Sequence, residues 1–281
     1  MTRPSYPLSL PAENPLITLT HPKKTLWIIE LHNGQDARLT PELIDGGLKP
    51  ALDAVERSWR DGWRRLQQTK DQDGDAPGDD GKGALIIVGR RDQDKFFSNG
   101  LDLTRVVNNP NFFPITYNPL LQRILTFPIP TIAAINGHCF AGGFMLSLAC
   151  DYRVMVDGSK RRAWLCMNEI SFGSNWPTSF GRLLRSRFGS GQLQRKIALE
   201  GHRFTPPEAL EAGMIDHIVA GGTKEVLQKA EEVAAEWEGN ARGGVWGLIK
   251  GEIYRDVLEG MMLDVRTPTP ISDDAAAKAR L

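Results

Sequence analysis

Between Ile124 and Cys150 the chain carries no Asp, Glu, Lys or Arg, and this stretch limits the fold more than any other feature. An uncharged run of that length is long enough to cross a bilayer. Pro128, Pro130, Asn136, Gly137, His138, Gly142 and Gly143 cut it into pieces too short to do so. What remains reads as the buried centre of a globular fold. Pro130–Ile135 is a continuously apolar strand, suited to a parallel sheet covered on both faces. Phe144–Ala149 is a helix with no charge on any side, which is the mark of a buried one.

The flanking segments alternate strand and helix. Thr25–Leu31 is rich in β-formers, and Thr40-Pro41-Glu42 supplies a cap and a first-position proline for a helix running to about Gln67. Residues 71–83 are acidic and glycine-rich with almost no apolar anchor, and read as a flexible surface insertion. Ala84–Gly89 predicts a second buried strand, Phe96–Ser98 a short one, and Asn118–Phe127 a helix. Tyr152–Val156 and Ala163–Cys166 predict further strands. From Trp176 onward the pattern is helical, over about 179–188, 191–199, 207–212, 223–238 and 245–259. This order predicts an α/β core over residues 1–205 and a helical C-terminal region over 206–281, with no internal sequence repeat.

Composition narrows the function classes. Thirty-four basic and thirty-four acidic side chains cancel, which removes any overall pull toward nucleic acid or an anionic membrane and is compatible with self-association. Cys139, Cys150 and Cys166 lie in apolar stretches without metal or redox spacing, so they read as small buried hydrophobes in a reducing compartment. The N-terminal segment holds three prolines before position 12 and no apolar core, unlike a secretory signal.

Two loops carry the chemistry. Phe97-Ser-Asn-Gly-Leu-Asp-Leu103 and Asn136-Gly-His-Cys-Phe-Ala-Gly-Gly143 each place glycine just after a strand, where backbone N–H groups stay uncovered. Two such groups converging on one point make an oxyanion hole. Either loop alone is equally well explained by close packing.

Together the loops resemble the crotonase (enoyl-CoA hydratase/isomerase) superfamily. Pro130-Thr-Ile-Ala-Ala-Ile-Asn-Gly-His-Cys-Phe-Ala-Gly-Gly-Phe-Met-Leu-Ser-Leu-Ala-Cys-Asp151 is similar to its signature block and Phe96–Leu103 to its first oxyanion loop. Gly201–Val219 is similar to the segment where its helical part begins. The resemblance spans about residues 25–260. It implies a spiral of ββα turns with a C-terminal helical region that trimerises, and oxyanion donors at the N–H groups of Leu101 and Gly142. It also implies contacts to the adenine of an acyl-CoA at Asp36, Ala37, Arg38 and Ser98. Asn99, Gly100 and Phe140 are further substrate-binding residues on the same resemblance, and Lys250 meets a phosphate. Coenzyme A arrives as part of the substrate, so no separate cofactor and no metal is expected.

Family hydratases use two glutamates. The first falls here on Met145 and the second on Glu169, after a four-residue lengthening around Asp157–Arg161. Hydration needs one group to place water and another to manage the α-proton, whereas moving a double bond from C3 to C2 needs one base to carry one proton. The resemblance therefore implies a Δ3,Δ2-enoyl-CoA isomerase with Glu169 as base, its pKa raised by an apolar pocket of Phe97, Phe140, Phe144, Phe172 and Trp176. Two alternatives stand beside it: an enoyl-CoA hydratase of a specialised acyl-CoA pathway, and a catalytically silent CoA-binding scaffold. His138 reads as a buried, hydrogen-bonded core residue and Asp102 as a helix cap. Val226, Ala230, Val233 and Trp237 form an apolar stripe assigned to a trimer or hexamer contact. Ala279-Arg280-Leu281, behind a flexible-looking Ser272–Ala277, resembles the peroxisomal targeting tripeptide, implying an import receptor as partner and the peroxisome as destination, with the cytoplasm otherwise.

Overall fold

The apolar strands of the sequence pair into two sheets in a computed structural model that describes residues 5–70, 78–263 and 268–280. The large sheet contains seven strands: β1 (Leu8–Leu10), β2 (Ile17–Lys23), β3 (Leu26–Leu31), β4 (Ala84–Val88), β6 (Thr131–Ile135), β8 (Tyr152–Val156) and β10 (His217–Val219), neighbours in that order. A second sheet holds β5 (Phe96–Ser98), β7 (His138–Phe140) and β9 (Leu165–Cys166). The chain therefore winds three times from large sheet to small sheet, β4 to β5, β6 to β7, β8 to β9. The spiral repeats in space although no repeat is visible in the sequence.

Burial explains which strands sit where. Every residue of β4 and β6 is buried, as central parallel strands with both faces covered must be. In β2 only Ile17 and Leu19 are buried while Thr18 and Thr20 are half-covered, the alternation of an antiparallel strand with one face on the core. The predicted helix after Thr40 is one helical run over 41–70. Its Thr40 side chain accepts from the Leu43 N–H, and a π turn lies at Ile44–Leu48 around Gly46 and Gly47. Within the sequence-predicted insertion, residues 71–77 lie outside the described residues. Residues 78–83 are anchored, with Gly81 buried and accepting from the Trp59 indole at 2.9 Å.

Several expectations change. The C-terminal part is not helices alone, because β10 adds a parallel strand beside β8. The stripe Val226, Ala230 and Val233 on helix Thr223–Trp237 is buried within this same chain, the helix packing over β4, β6 and β8, so it is not a free association face. The segment predicted as one helix over 245–259 breaks at buried Tyr254 into Trp246–Ile253 and Arg255–Met262. Ser272–Ala277 is helical, within Pro270–Arg280. All three cysteines are free and buried, and burial pushes their thiols up, Cys150 to about 12 and Cys166 to about 11. No helix among the described residues is long and apolar enough to cross a membrane.

Candidate active site

The carboxyl ends of β5, β7 and β9 deliver three loops to one place. After β5, Gly100 takes φ +81, which glycine adopts without strain. Leu39 bonds on both sides of Leu101, its N–H to Gly100 O at 2.8 Å and its carbonyl from Asp102 N at 3.2 Å. The Leu101 N–H itself takes no part in that ladder. Asp102 then caps the helix Leu103–Val106 by accepting from Thr104 N, as its sequence position predicts.

After β7, Ala141 sits at φ 50 and ψ −123, a region alanine avoids, where a strained residue costs about 1–3 kcal/mol. Ala141 N donates to Cys166 O at 2.8 Å, and Ala141 O accepts from Met145 N at 3.1 Å. The planar trans peptide then points the Gly142 N–H opposite to that carbonyl, out from the start of helix Gly142–Ala149. The two loops touch: a Cβ on Gly100 would lie 3.1 Å from Gly142 N, and one on Gly142 would lie 2.8 Å from Leu101 Cδ2. Glycine is required at both positions by this approach. Leu101 and Gly142, the two sequence-assigned donors, are thus neighbours.

Glu169 opens the 3₁₀ turn Glu169–Phe172 directly beyond β9. It is 6% exposed, and its Oε2 is buried with no hydrogen-bond partner. Burial raises its pKa from 4.5 to about 7, against the opposing pull of its own backbone N–H and the Trp176 indole. Burial pushes the phenol of Tyr117, beside Gly142, well up, and Glu169 lies close enough to add to that shift. A buried carboxyl titrating near neutrality with one oxygen free is equipped to take and return a proton. Met145, onto which the resemblance maps the family's other acid, is fully buried on the helix Gly142–Ala149. Of the aromatic residues expected around Glu169, Phe97 and Phe144 are fully buried, and Phe140 and Trp176 partly so. Phe172 is 48% exposed and turns away.

The residues assigned to adenine are knitted to the loop Phe97–Leu103. Ser98 Oγ donates to Ala37 O at 2.7 Å, Asn99 N to Asp36 O at 2.8 Å, and Arg38 Nη1 to Leu101 O at 3.2 Å. Asp36 Oδ2 further accepts from Asn99 Nδ2 and Arg38 Nε. Lys250 is the exception. It is 5% exposed and its ammonium bonds to Asp151 at 2.9 Å and to Ile124 O and Phe127 O, so it has no access to a phosphate. Lys250 looked like a surface cation because its sequence neighbours, Ile249 and Gly251, carry no sign of the buried aspartate it serves. His138 also departs from expectation: its Nδ1 is buried without a partner, and the ring stacks on Trp164 between Phe96 and Phe140. Burial, then the charges of Lys95, Arg203 and Arg161, lower its pKa.

One site residue went unread in the sequence. Tyr117 ends a π turn, Phe112–Tyr117, and its hydroxyl donates to Gly142 O at 2.5 Å. An isolated tyrosine before a helix gives no sign that it will meet a loop twenty-five residues later. Among the described residues, no group of three or more His, Cys, Asp or Glu is placed to hold a metal.

Comparison with known proteins places the chain among enoyl-CoA hydratases and isomerases. The profile of the family described as Enoyl-CoA hydratase/isomerase matches residues 75–248. Enoyl-CoA delta isomerase 2, peroxisomal, of Arabidopsis thaliana is 30% identical over 199 residues, 66% of this chain and 79% of the relative. Enoyl-CoA delta isomerase 3 of the same plant is 32% identical over 188 residues, 63% of this chain and 75% of the relative. The crystal structure of an enoyl-CoA hydratase from Mycobacterium ulcerans superposes with a TM-score of 0.69 at 25% identity, covering 88% of this chain and 94% of that one.

Proposed function

Because the chain belongs to the enoyl-CoA hydratase/isomerase family, we propose that it is a Δ3,Δ2-enoyl-CoA isomerase with a single proton-carrying base, Glu169. The thioester carbonyl sits against the N–H groups of Leu101 and Gly142. Glu169 removes a C2 proton, the two donors hold the dienolate oxygen, and the same carboxyl returns the proton at C4. The double bond moves from C3 to C2 with no net gain or loss of atoms.

The observation that carries this reading is the free, buried Oε2 of Glu169, its pKa raised by burial to about 7, together with a buried methionine, Met145, at the position the resemblance gives to a second acid. A hydratase needs that second acid to hold water, and a methionine thioether cannot deprotonate one. The reading is tested by chromatography of products from 3-enoyl-CoA and 2-enoyl-CoA. Isomerisation that outpaces hydration by tenfold or more supports it. Equal rates refute the argument from Met145, and binding without turnover of either substrate favours the scaffold.

A trimer belongs to the same proposal, now assigned to the exposed apolar residues Leu248, Ile249, Ile253 and Met262 of the C-terminal helices. Light scattering should give three or six times the 31.2 kDa chain mass. A peroxisomal setting is proposed from Ala279-Arg280-Leu281, of which Leu281 lies outside the described residues, and from the relative named peroxisomal. A fluorescent protein carrying these last residues should become punctate. Diffuse signal refutes it.

A further inference from the structure

The donor at Gly142 is held against the preference of its own backbone. Ala141, at φ 50, would relax if the peptide joining it to Gly142 swung round, and that swing would turn the Gly142 N–H away from the site. A strained peptide persists only where its surroundings over-determine it. Three hydrogen bonds hold this turn, one on each of three successive peptides. Two are backbone bonds, Ala141 N to Cys166 O and Met145 N to Ala141 O, which belong to the fold itself. The third comes from a side chain, Tyr117 Oη to Gly142 O at 2.5 Å.

The tyrosine is built into place. It is fully buried, stacked on Phe112 and edge-on to Phe113 and Phe180, so its hydroxyl has little freedom to leave. A Cβ on Gly142 would lie 3.4 Å from that hydroxyl and 2.8 Å from Leu101, so the phenol oxygen lies at the meeting point of the two oxyanion loops. A phenylalanine would fill the same ring cluster without taking a hydroxyl out of water. The carbonyl it meets begins a helix and would find its ordinary donor four residues on, so the extra bond adds little to stability. Burial above all, with Glu169 adding to it, keeps the phenol protonated and therefore a donor.

We propose that Tyr117 is a positioning residue: its hydroxyl pins the strained Ala141-Gly142-Gly143 backbone so that the Gly142 N–H stays aimed at the enolate oxygen. It transfers no proton. The proposal rests on the enoyl-CoA reading above, and names a second requirement of the same site.

The test compares the full-length protein with Tyr117→Phe, using a 4-dimethylaminocinnamoyl-CoA whose absorption moves to longer wavelength when its thioester carbonyl is polarised. The variant should bind this probe within about threefold of wild type while its red shift shrinks. Turnover of 3-enoyl-CoA should fall about ten- to hundredfold in kcat, short of the roughly 10²–10³ lost with a whole donor, with KM nearly unchanged. An undiminished red shift and kcat overturn the proposal. So does a parallel loss of probe binding and thermal stability, which would mark a purely structural tyrosine. Should Tyr117→Phe fail to fold, replacement of Tyr117 by 3-fluorotyrosine keeps the shape and changes donor strength, and an unchanged red shift then overturns it. A wild type that binds the probe with no red shift refutes the oxyanion site itself, whereas a shift present in wild type and retained in the variant refutes Tyr117 alone.

Discussion

Two carboxylates lie deep in this protein, and they are treated in opposite ways. Asp151 accepts hydrogen bonds from Thr131 N, Thr131 Oγ1, the Trp246 indole and the Lys250 ammonium, with the Asp151 and Lys250 side chains only 10% and 7% exposed. Glu169 is as buried, yet one of its oxygens has no partner. A satisfied buried charge is part of the framework, here a clamp between the strand Thr131–Ile135 and the helix Trp246–Ile253. An unsatisfied one costs free energy that the fold must offset elsewhere. Burial is common to both carboxylates, and only the number of partners separates them.

The strongest way to break this contrast is Glu169→Gln. The substitution keeps the shape and removes the base, so isomerase turnover should fall about 10²–10⁴-fold while acyl-CoA binding survives. Retained turnover would show that the free oxygen at Glu169 has no chemical role.

Lys250→Met attacks the other carboxylate. It strands Asp151 without its cation and should cost about 3–5 kcal/mol in denaturant unfolding, with part of the loss recovered in Asp151→Asn/Lys250→Met. Acyl-CoA affinity of the folded variant should stay unchanged, because the ammonium does not face the site. A selective loss of affinity would return Lys250 to the phosphates.

Proton linkage sharpens the comparison. Folded Glu169 keeps its proton to about pH 7, whereas an ordinary glutamate releases it near 4.5. The folded state binds more protons inside that window, so this group's contribution to stability falls as pH rises through it, by about 3 kcal/mol in all. Glu169→Gln should remove that fall. Isomerase kcat/KM should rise with pH to a plateau above about 7, since the base must be ionised. A rate profile flat from pH 5 to 8 would place the working base elsewhere.

The smallest effect belongs to an exposed pair. Lys23 and Glu231 join the β2–β3 turn to the helix Thr223–Trp237 at 2.7 Å, with side chains 58% and 33% exposed. Lys23→Ala should cost under about 1 kcal/mol by the same unfolding measurement, and less in high salt.

Residue type and spacing were enough to locate much of this protein. The uncharged run from Ile124 to Cys150 could only become buried strand, turn and helix, and β6, β7 and the helix Gly142–Ala149 occupy it. The apolar Ala84–Val88 stretch could only be a covered strand, and Thr40 and Asp102 could be named as caps because capping is local chemistry. Glu169, Leu101 and Gly142 were legible because their loops resemble a known family, but resemblance does not supply a distance.

Tertiary structure alone decided the rest. β1, β7 and β10 are three residues each, too short for a period to show, and exist because a neighbouring strand offers them hydrogen bonds. The stripe on Thr223–Trp237 is apolar either way, and only packing directs it to the core rather than to another copy. Lys250 and Tyr117 show the limit most directly. Each is a polar side chain whose partner lies 99 and 25 residues away, respectively, and a sequence does not display which distant groups the fold will bring within bonding distance. Local propensity sets where strands, turns and caps form, whereas burial and the pairing of polar groups are properties of the closed fold. They turned one predicted ligand residue into a framework clamp and an unremarked tyrosine into a neighbour of the site.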